Sequence, residues 1–311
     1  MSYTKIERRL NSGGIVILDG GTGTELERRG VPMHPDAWSG PATLDNVDVL
    51  ENIHRDYFAA GADIVIANTY ASSRLMLGPA GFGDSFEEIN KTAIHVALRA
   101  REASGQNDAL VAGCLSHMCP IVRGTAKQDR SQTPSVEEMT DAFEELATLF
   151  LDEGCDLIIL EMMFYPERIP LLCKAAIATG LPVWAGFSAR QGKDGQILGF
   201  APENDIPFSE VLQAADGLDV AAAGVMHTPS NIISDAIPIL REAFAVPLMA
   251  YPDSGYFKMP NWHFENVMRP EDLLRFSTQW VEEGAQIVGG CCGLSPEHIT
   301  ALEPLKAQNS L

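Results

Sequence analysis

The 311-residue sequence predicts an α/β fold, a (β/α)8 TIM barrel that forms a single domain over residues 1–311. Short apolar segments recur eight times and alternate with longer segments of helical character. The apolar segments are continuous rather than alternating, which is typical of strands buried on both faces of a sheet. The length suits one barrel of this kind, and no charge run or Gly/Ser linker marks a domain boundary.

Each predicted strand is rich in apolar and β-branched residues. We expect strands at 15–20, 63–70, 109–116, 156–163, 182–189, 220–228, 246–253 and 285–293. Five of the segments between them have the length and apolar spacing of helices, at 44–60, 85–103, 135–153, 167–179 and 270–283. Eight strands that alternate with helices predict a closed parallel sheet.

Three connections, at 119–134, 190–207 and 253–270, are long and rich in turn residues. Each follows a strand and precedes a helix, so we expect it on the face where barrel enzymes place their active sites. Ordinary surface loops are the alternative. The shared face and the length favour a lid or a substrate wall.

Composition and charge exclude several classes of protein. Apolar residues make up 46% of the chain, which excludes intrinsic disorder. Lys and Arg total 22 and Asp and Glu total 42, so the net charge of −20 argues against binding to nucleic acid or to a membrane surface. The N-terminal segment is polar, and no apolar run reaches the roughly 18 residues of a membrane span. We expect a soluble, cytoplasmic protein.

The six cysteines are few for a disulfide framework, so we expect thiols, metal ligands or small core residues. Cys291 and Cys292 are adjacent in the segment GGCCG at 289–293, which ends the eighth predicted strand. Two neighbouring thiolates bind one soft cation where flanking glycines let the backbone bend. Two buried small residues in a tight turn are the alternative. The pattern favours a metal site.

A catalytic Zn²⁺ takes three protein ligands and keeps a fourth position open. The third ligand must come from another strand end. His227, at the end of the sixth predicted strand, is the best placed, and Cys114 and His117 near the end of the third strand compete with it. A structural histidine is the alternative for His227.

The segment DGGTG at 19–23 follows the first predicted strand. A dinucleotide-binding motif is disfavoured because Leu26 occupies the third glycine position. The glycines would instead let backbone N–H groups approach a substrate carboxylate, while Asp19 faces a cation.

Glu161, within the fourth predicted strand, is a second carboxylate at the same face. Two anions and exposed backbone donors suit an amino acid. Helix capping by Asp19 and a rim position for Glu161 are the alternatives.

Together these segments resemble the zinc-dependent homocysteine S-methyltransferases, a family that includes the S-methylmethionine and betaine enzymes. The matching segments follow one another over nearly the whole chain: DGGTGTELERRG at 19–30, Trp38, HRDYFAAGAD at 54–63, NTY at 68–70, LE at 160–161, YPDSG at 251–255 and GGCCGLSPEHI at 289–299. The resemblance implies a barrel enzyme that moves a methyl group from a small onium donor to the thiol of homocysteine, forming methionine. It also implies a Zn²⁺ bound by three cysteines, which activates the sulfur.

Position by position, the resemblance implies Cys291 and Cys292 as two zinc ligands. It implies that Asp19 and Glu161 bind the ammonium group of homocysteine. The other implied substrate-binding residues are Gly20, Gly21 and Thr69 in the homocysteine pocket, and Trp38 and Tyr70 beside the methyl donor. Aromatic faces suit a sulfonium or a quaternary ammonium group, and plain packing is the alternative for both rings.

The sequence departs from the family pattern at several predicted strand ends. The first zinc cysteine of the family lies in Gly-Val-Asn-Cys-Thr, which here is GVMHT at 224–228, so His227 replaces that cysteine. The Tyr-Pro-Asn of the seventh strand is here YPD at 251–253. The third strand carries GCLSH at 113–117 in place of Gly-Ser-x-Gly-Pro. These departures leave the metal geometry and the substrate open.

The chain has no room for a cobalamin or folate module, which favours a direct small donor. S-methylmethionine, S-adenosylmethionine, betaine and dimethylsulfoniopropionate fit equally, and a thiol other than homocysteine is an alternative acceptor. A non-catalytic barrel that binds a metal or a thiol is the main competing hypothesis. A metal-dependent hydrolase is disfavoured, because two thiolates suit sulfur chemistry better than an activated water.

Overall fold

The computed structural model describes residues 3–106 and 108–307. The strands are β1 Val16–Ile17, β2 Ile64–Ile66, β3 Leu110–Ser116, β4 Leu157–Met163, β5 Val183–Phe187, β6 Ala189–Gln191, β7 Ile197–Gly199, β8 Ala222–Pro229, β9 Leu248–Asp253, β10 Tyr256–Lys258, β11 Asn261–His263 and β12 Ala285–Val288. The helices are α1 Tyr3–Asn11, α2 Thr22–Arg28, α3 Ala42–Asp45, α4 Val47–Ala59, α5 Arg74–Leu77, α6 Phe86–Ser104, α7 Val136–Asp152, α8 Ile169–Ala178, α9 Phe208–Gln213, α10 Ser230–Ala243, α11 Pro270–Glu282 and α12 Pro296–Ala301.

Eight of these strands form one parallel sheet in the order β1-β12-β9-β8-β5-β4-β3-β2. The first strand pairs with the last, with Val16 opposite Ile287. The remaining gap, between β1 and β2, is bridged where Leu18 pairs with Ile64. The sheet therefore closes into a barrel, which confirms the predicted fold.

All eight predicted strands lie in the barrel, but several are shorter than the apolar runs. β1 has two residues and β2 has three, because the buried residues that follow them leave the ladder and form loops at the C-terminal face. The predicted helix at 44–60 is divided at Asn46, whose φ of −129° interrupts the helix between α3 and α4. Two of the three long connections contain antiparallel hairpins that the sequence did not predict, β6–β7 and β10–β11.

The apolar side chains form two cores. One fills the barrel interior and includes Val16, Leu110 and Trp184, and the other lies between the sheet and the surrounding helices. The amphipathic helix α1 covers the N-terminal end of the barrel, where its Ile6 packs in the interior core. The opposite, C-terminal end is left for the loops that carry the candidate site. No helix in the described ranges is long and apolar enough to cross a membrane.

The carboxylate of Asp63 holds the seam between β1 and β2. Its Oδ2 accepts a hydrogen bond from the Ile17 N–H at 2.9 Å, and the Asp63 N–H donates to the Ile17 carbonyl at 2.7 Å. Its Oδ1 accepts from Arg9 at 2.8 Å and from Lys306 at 2.9 Å. One buried side chain thus joins α1 and the C-terminal segment to the point where the barrel closes.

We expect Asp63→Ala to lower the free energy of unfolding by about 1–3 kcal/mol, because the buried Ile17 N–H loses its acceptor. Asp63→Asn keeps an oxygen that accepts this bond, so a smaller loss is expected. Urea denaturation of the two variants and the wild type measures the difference. Wild-type stability of Asp63→Ala would contradict this role of the carboxylate.

Candidate metal and substrate site

A cavity of about 150 Å³ opens at the C-terminal end of the barrel. Eight of the ten residues predicted for the site line it: Gly20, Gly21, Trp38, Tyr70, Glu161, His227, Cys291 and Cys292. The other two, Asp19 and Thr69, are fully buried behind the cavity wall. The Thr69 hydroxyl accepts from the Cys114 N–H and donates to the Cys114 carbonyl, both at 2.9 Å, so it fixes the course of β3.

Glycines let the loop after β1 pack directly on the cysteine turn after β12. A Cβ at Gly20 would lie 2.4 Å from the Leu294 carbonyl oxygen, and one at Gly21 would lie 2.8 Å from the Cys291 carbonyl oxygen. Gly293 has a φ of +82°, and a Cβ there would lie 1.9 Å from the Ser254 carbonyl oxygen. The Gly21 N–H donates to Leu294 at 3.2 Å, so this N–H serves the packing of the two loops and is not directed at a substrate.

The cysteine turn places two sulfurs beside one imidazole. Cys291 Sγ lies 3.9 Å from Cys292 Sγ and 3.5 Å from His227 Nδ1. The three ligand atoms lie within 4.8 Å of one another. A tetrahedral Zn²⁺, with bonds of about 2.3 Å to sulfur and about 2.0–2.1 Å to nitrogen, separates two sulfurs by about 3.8 Å and a sulfur from a nitrogen by about 3.5 Å. The two separations that involve Cys291 Sγ match this geometry, and a three-donor set leaves a fourth position for a further ligand.

Cys114 and His117, the competing third ligands, are placed differently. The Cys114 thiol donates to Glu161 Oε2 at 3.0 Å and is not part of the three-donor group. The His117 ring packs in the cavity wall against Phe164, with 4.7 Å between the ring centroids. The structure thus groups His227 with the cysteine pair.

His227 is held in a strained conformation. Its φ is +44°, which is uncommon for a residue with a Cβ, and the pairing of β8 with β9 shifts register between Met226 and Pro229. The imidazole packs against the rings of Phe200 and Trp262, with centroid distances of 5.6 and 5.7 Å. Burial disfavours the imidazolium form of His227, but the carboxylate of Asp253 and the sulfur of Cys291 outweigh burial and raise its pKa to about 9.

The two predicted substrate carboxylates, Asp19 and Glu161, are both buried. Asp19 Oδ2 accepts from the Ile66 N–H at 2.7 Å, whereas Asp19 Oδ1 has no hydrogen-bond partner in the described ranges. Glu161 Oε1 accepts from the Tyr251 hydroxyl at 3.4 Å. Burial raises the pKa of both carboxyl groups, and the charge of Glu161 raises that of Asp19 further. Within residues 3–106 and 108–307, neither group forms an ion pair with Lys or Arg, so a bound cation would relieve their desolvation.

The structure excludes the two structural alternatives for these carboxylates. Gly21 is the N-cap residue of α2, and no side chain caps this helix, so Asp19 is not a helix cap. Glu161 is only 8% exposed and lies in the cavity wall rather than on the rim.

Aromatic rings form another part of the cavity wall. Trp38 stands edge-on to Tyr70 at 6.0 Å and to Phe257 at 5.8 Å between ring centroids. Its indole fits because position 23 is glycine, where a Cβ would lie 2.6 Å from the ring. The sequence analysis missed five aromatic residues of this wall: Phe164, Tyr165, Phe200, Phe257 and Trp262. The available signal was that three of them lie in the long connections predicted to form a substrate wall, at 190–207 and 253–270.

Comparison with known proteins identifies relatives over the whole barrel. The chain is 28% identical to homocysteine S-methyltransferase YbgG of Bacillus subtilis, over 94% of this chain and 95% of that protein. It is 26% identical to a selenocysteine methyltransferase of Astragalus bisulcatus, over 94% and 92% of the two chains. The metallated crystal structure of the homocysteine methyltransferase MmuM from Escherichia coli shares the fold with a TM-score of 0.73 at 22% identity, covering 96% of this chain and 98% of that one.

Residues 16–305 match the family model described as homocysteine S-methyltransferase. The match spans every strand of the barrel and both segments that form the donor group, and it confirms the resemblance seen in the sequence motifs. The chain therefore belongs to the homocysteine S-methyltransferase family and is a methyltransferase.

Proposed function

We propose that this enzyme transfers a methyl group from a small onium donor to the thiol of homocysteine, forming methionine, at a Zn²⁺ site made by His227, Cys291 and Cys292. The observation that carries the proposal is the group of one imidazole and two thiols within 4.8 Å. The group lies in the same cavity wall as Glu161 and the aromatic rings. Thiol donors suit a metal that must bind sulfur.

The three side chains would hold the metal and leave one position open for the substrate. When bound, Zn²⁺ lowers the pKa of a coordinated thiol, so that a thiolate is available near neutral pH. In the transfer, the lone pair of the deprotonated sulfur attacks the methyl carbon. The bond from that carbon to the onium atom breaks, and its electron pair stays on the departing donor. The products are methionine and a neutral donor.

The side chains around the metal donors position both substrates. Glu161 in the cavity wall, with Asp19 buried behind it, would stabilise the ammonium group of homocysteine, and Asp19 Oδ1 has no hydrogen-bond partner in the described ranges. Trp38 and Tyr70, which meet edge-on, present aromatic surface to the cavity. Aromatic faces attract a sulfonium or quaternary ammonium group and exclude water from it. We therefore propose a direct onium donor rather than a folate.

Among the described residues the cysteines are free thiols, which supports a reducing, cytoplasmic location.

The activity is tested by incubating zinc-loaded enzyme with homocysteine and, in turn, S-methylmethionine, S-adenosylmethionine, betaine or dimethylsulfoniopropionate. Mass spectrometry should detect methionine with at least one donor and none without homocysteine. Selenocysteine serves as a rival acceptor, because a relative is a selenocysteine methyltransferase. Absence of product with every donor and acceptor would contradict the proposal and favour the binding-only alternative.

We expect the reduced, purified enzyme to carry about one Zn²⁺ per chain, since two thiolates and one imidazole form a complete catalytic donor set. Replacing Cys291 and Cys292 together by Ser should remove the metal. Elemental analysis after dialysis measures it, and circular dichroism should show that the barrel remains folded. Cys114→Ser is the matched control, because this thiol lies in the same cavity but outside the donor group. Equal zinc content in the double variant and the wild type would rule out the cysteine pair as ligands.

We expect Asp19→Asn and Glu161→Gln each to weaken homocysteine binding by about 1–3 kcal/mol, the scale for a lost charged hydrogen bond. Calorimetry measures the affinity. The matched control ligand is 4-mercaptobutanoate, which lacks only the amino group and should bind the variants and the wild type equally. If both ligands lose affinity to the same extent, these carboxylates do not recognise the ammonium group.

A further inference from the structure

We infer that Asp253 is a positioning residue that orients His227 toward the metal and restores the negative charge lost with the replaced cysteine. The inference rests on the proposed function, in which His227 is the third metal ligand. It concerns two positions at which this chain departs from its family: a histidine stands in place of a cysteine, and an aspartate in place of an asparagine.

The imidazole of His227 faces a different group on each side. Its Nδ1 lies 3.5 Å from Cys291 Sγ, within the donor group, and its Nε2 lies 3.8 Å from Asp253 Oδ2. The neighbouring strands β8 and β9 bring the two side chains together, since Pro229 pairs with Asp253. Both side chains are largely buried, with 9% of His227 and 14% of Asp253 exposed.

The Asp253 carboxylate has no competing basic partner in the part of the chain that the structure describes. Its salt-bridge contact there is with His227, and its second oxygen, Oδ1, is buried without a hydrogen-bond partner. A buried carboxylate is costly unless a positive or hydrogen-bonding group faces it. The group that the fold places beside the Asp253 carboxylate is the Nε2 atom of His227.

A histidine ligand needs an orienting group in a way that a cysteine does not. The imidazole can carry its proton on either nitrogen, and only the other nitrogen offers a lone pair to a metal. A carboxylate on the Nε2 side favours the tautomer with the proton on Nε2, which leaves the Nδ1 lone pair toward the cysteine sulfurs. Histidine ligands in metal sites commonly have a carboxylate at their second N–H, and the 3.8 Å from His227 Nε2 to Asp253 Oδ2 is an ion-pair contact rather than a hydrogen bond. Phe200 and Trp262, whose rings both pack edge-on against the imidazole, oppose its rotation out of this position.

The charge argument points to the same residue. Three thiolates around a divalent cation give a net charge of −1, whereas two thiolates and a neutral imidazole give zero. The carboxylate of Asp253 returns the total to −1, and it does so 3.8 Å from the residue that caused the loss. The asparagine of the family pattern has nearly the same shape but no charge. The two departures therefore compensate each other.

The test compares Zn²⁺ affinity, measured by chelator competition, in the wild type, Asp253→Asn, His227→Cys, the double variant His227→Cys/Asp253→Asn and His227→Ala. In the wild-type background, Asp253→Asn should weaken zinc binding about 10–100-fold, the usual effect of removing an orienting partner of a metal ligand. In the His227→Cys background, the same change should leave the affinity unchanged or raise it, because the carboxylate then faces a third thiolate. Glu203→Gln, at another acidic residue of the cavity wall, is the control and should have no effect.

Three outcomes would overturn the inference, and they separate it from the proposed metal site. In the first outcome, Asp253→Asn binds zinc as tightly as the wild type, whereas His227→Ala binds it weakly. His227 would then still be a ligand, but Asp253 would have no role in orienting it. An equal loss in both backgrounds would show that Asp253 acts only on the local fold. Wild-type affinity of His227→Ala would refute the metal site itself. Visible absorption of the Co²⁺-substituted proteins provides a second readout, since Asp253→Asn should change the ligand field only while His227 is present.

Discussion

The site depends on the contact between the loops that follow the first and last strands of the barrel. Gly290 donates a backbone hydrogen bond to the Asp19 carbonyl at 3.0 Å, and Gly293 donates to the Thr24 hydroxyl at 2.9 Å. The two loops lie too close for any side chain at Gly20 or Gly21. The contact between these loops, which follow the adjacent strands β1 and β12, thus also fixes the turn that carries the two sulfurs. A Cβ at these glycines would separate the loops and move the cysteines away from His227.

The cavity combines negative groups with strained backbone. Asp19, Glu161 and Asp253 are buried carboxylates with no Lys or Arg ion pair in the described ranges, and two thiols lie beside them. Such a cluster is stable when cations occupy it, and the proposed chemistry brings three: a metal, an ammonium group and an onium group. Four residues other than glycine have positive φ in the described ranges, and three of them, Trp38, Met162 and His227, line this cavity. Strain of this kind persists where the surrounding packing enforces it, and it is common at functional sites.

The fold and the outline of the site were predictable from the sequence because both depend on local patterns. Continuous apolar runs revealed all eight barrel strands, and polar residues at their ends marked the functional face. Distances across the barrel were not predictable. The sequence favoured His227 over Cys114 as the third donor, but the 3.5 Å from its Nδ1 to Cys291 Sγ depends on where β8 ends relative to β12, which no spacing along the chain reveals. The aromatic wall was missed because Phe257 and Trp262 reach the cavity on a hairpin that has no strong periodicity.

Distances across the barrel also decide how His227 and Asp253 are interpreted. The sequence alone shows them only as two separate departures from the family pattern, because it does not reveal that they are in contact. Each replacement alone creates a mismatch. A histidine beside the asparagine of the family would leave the proposed metal site neutral, whereas a cysteine beside an aspartate would add a fourth anion to three thiolates. Residues in direct contact are coupled in this way, and their effects do not add. In the proposed site the two positions therefore form one unit, and their contact across β8 and β9 makes two departures from the family pattern consistent with each other.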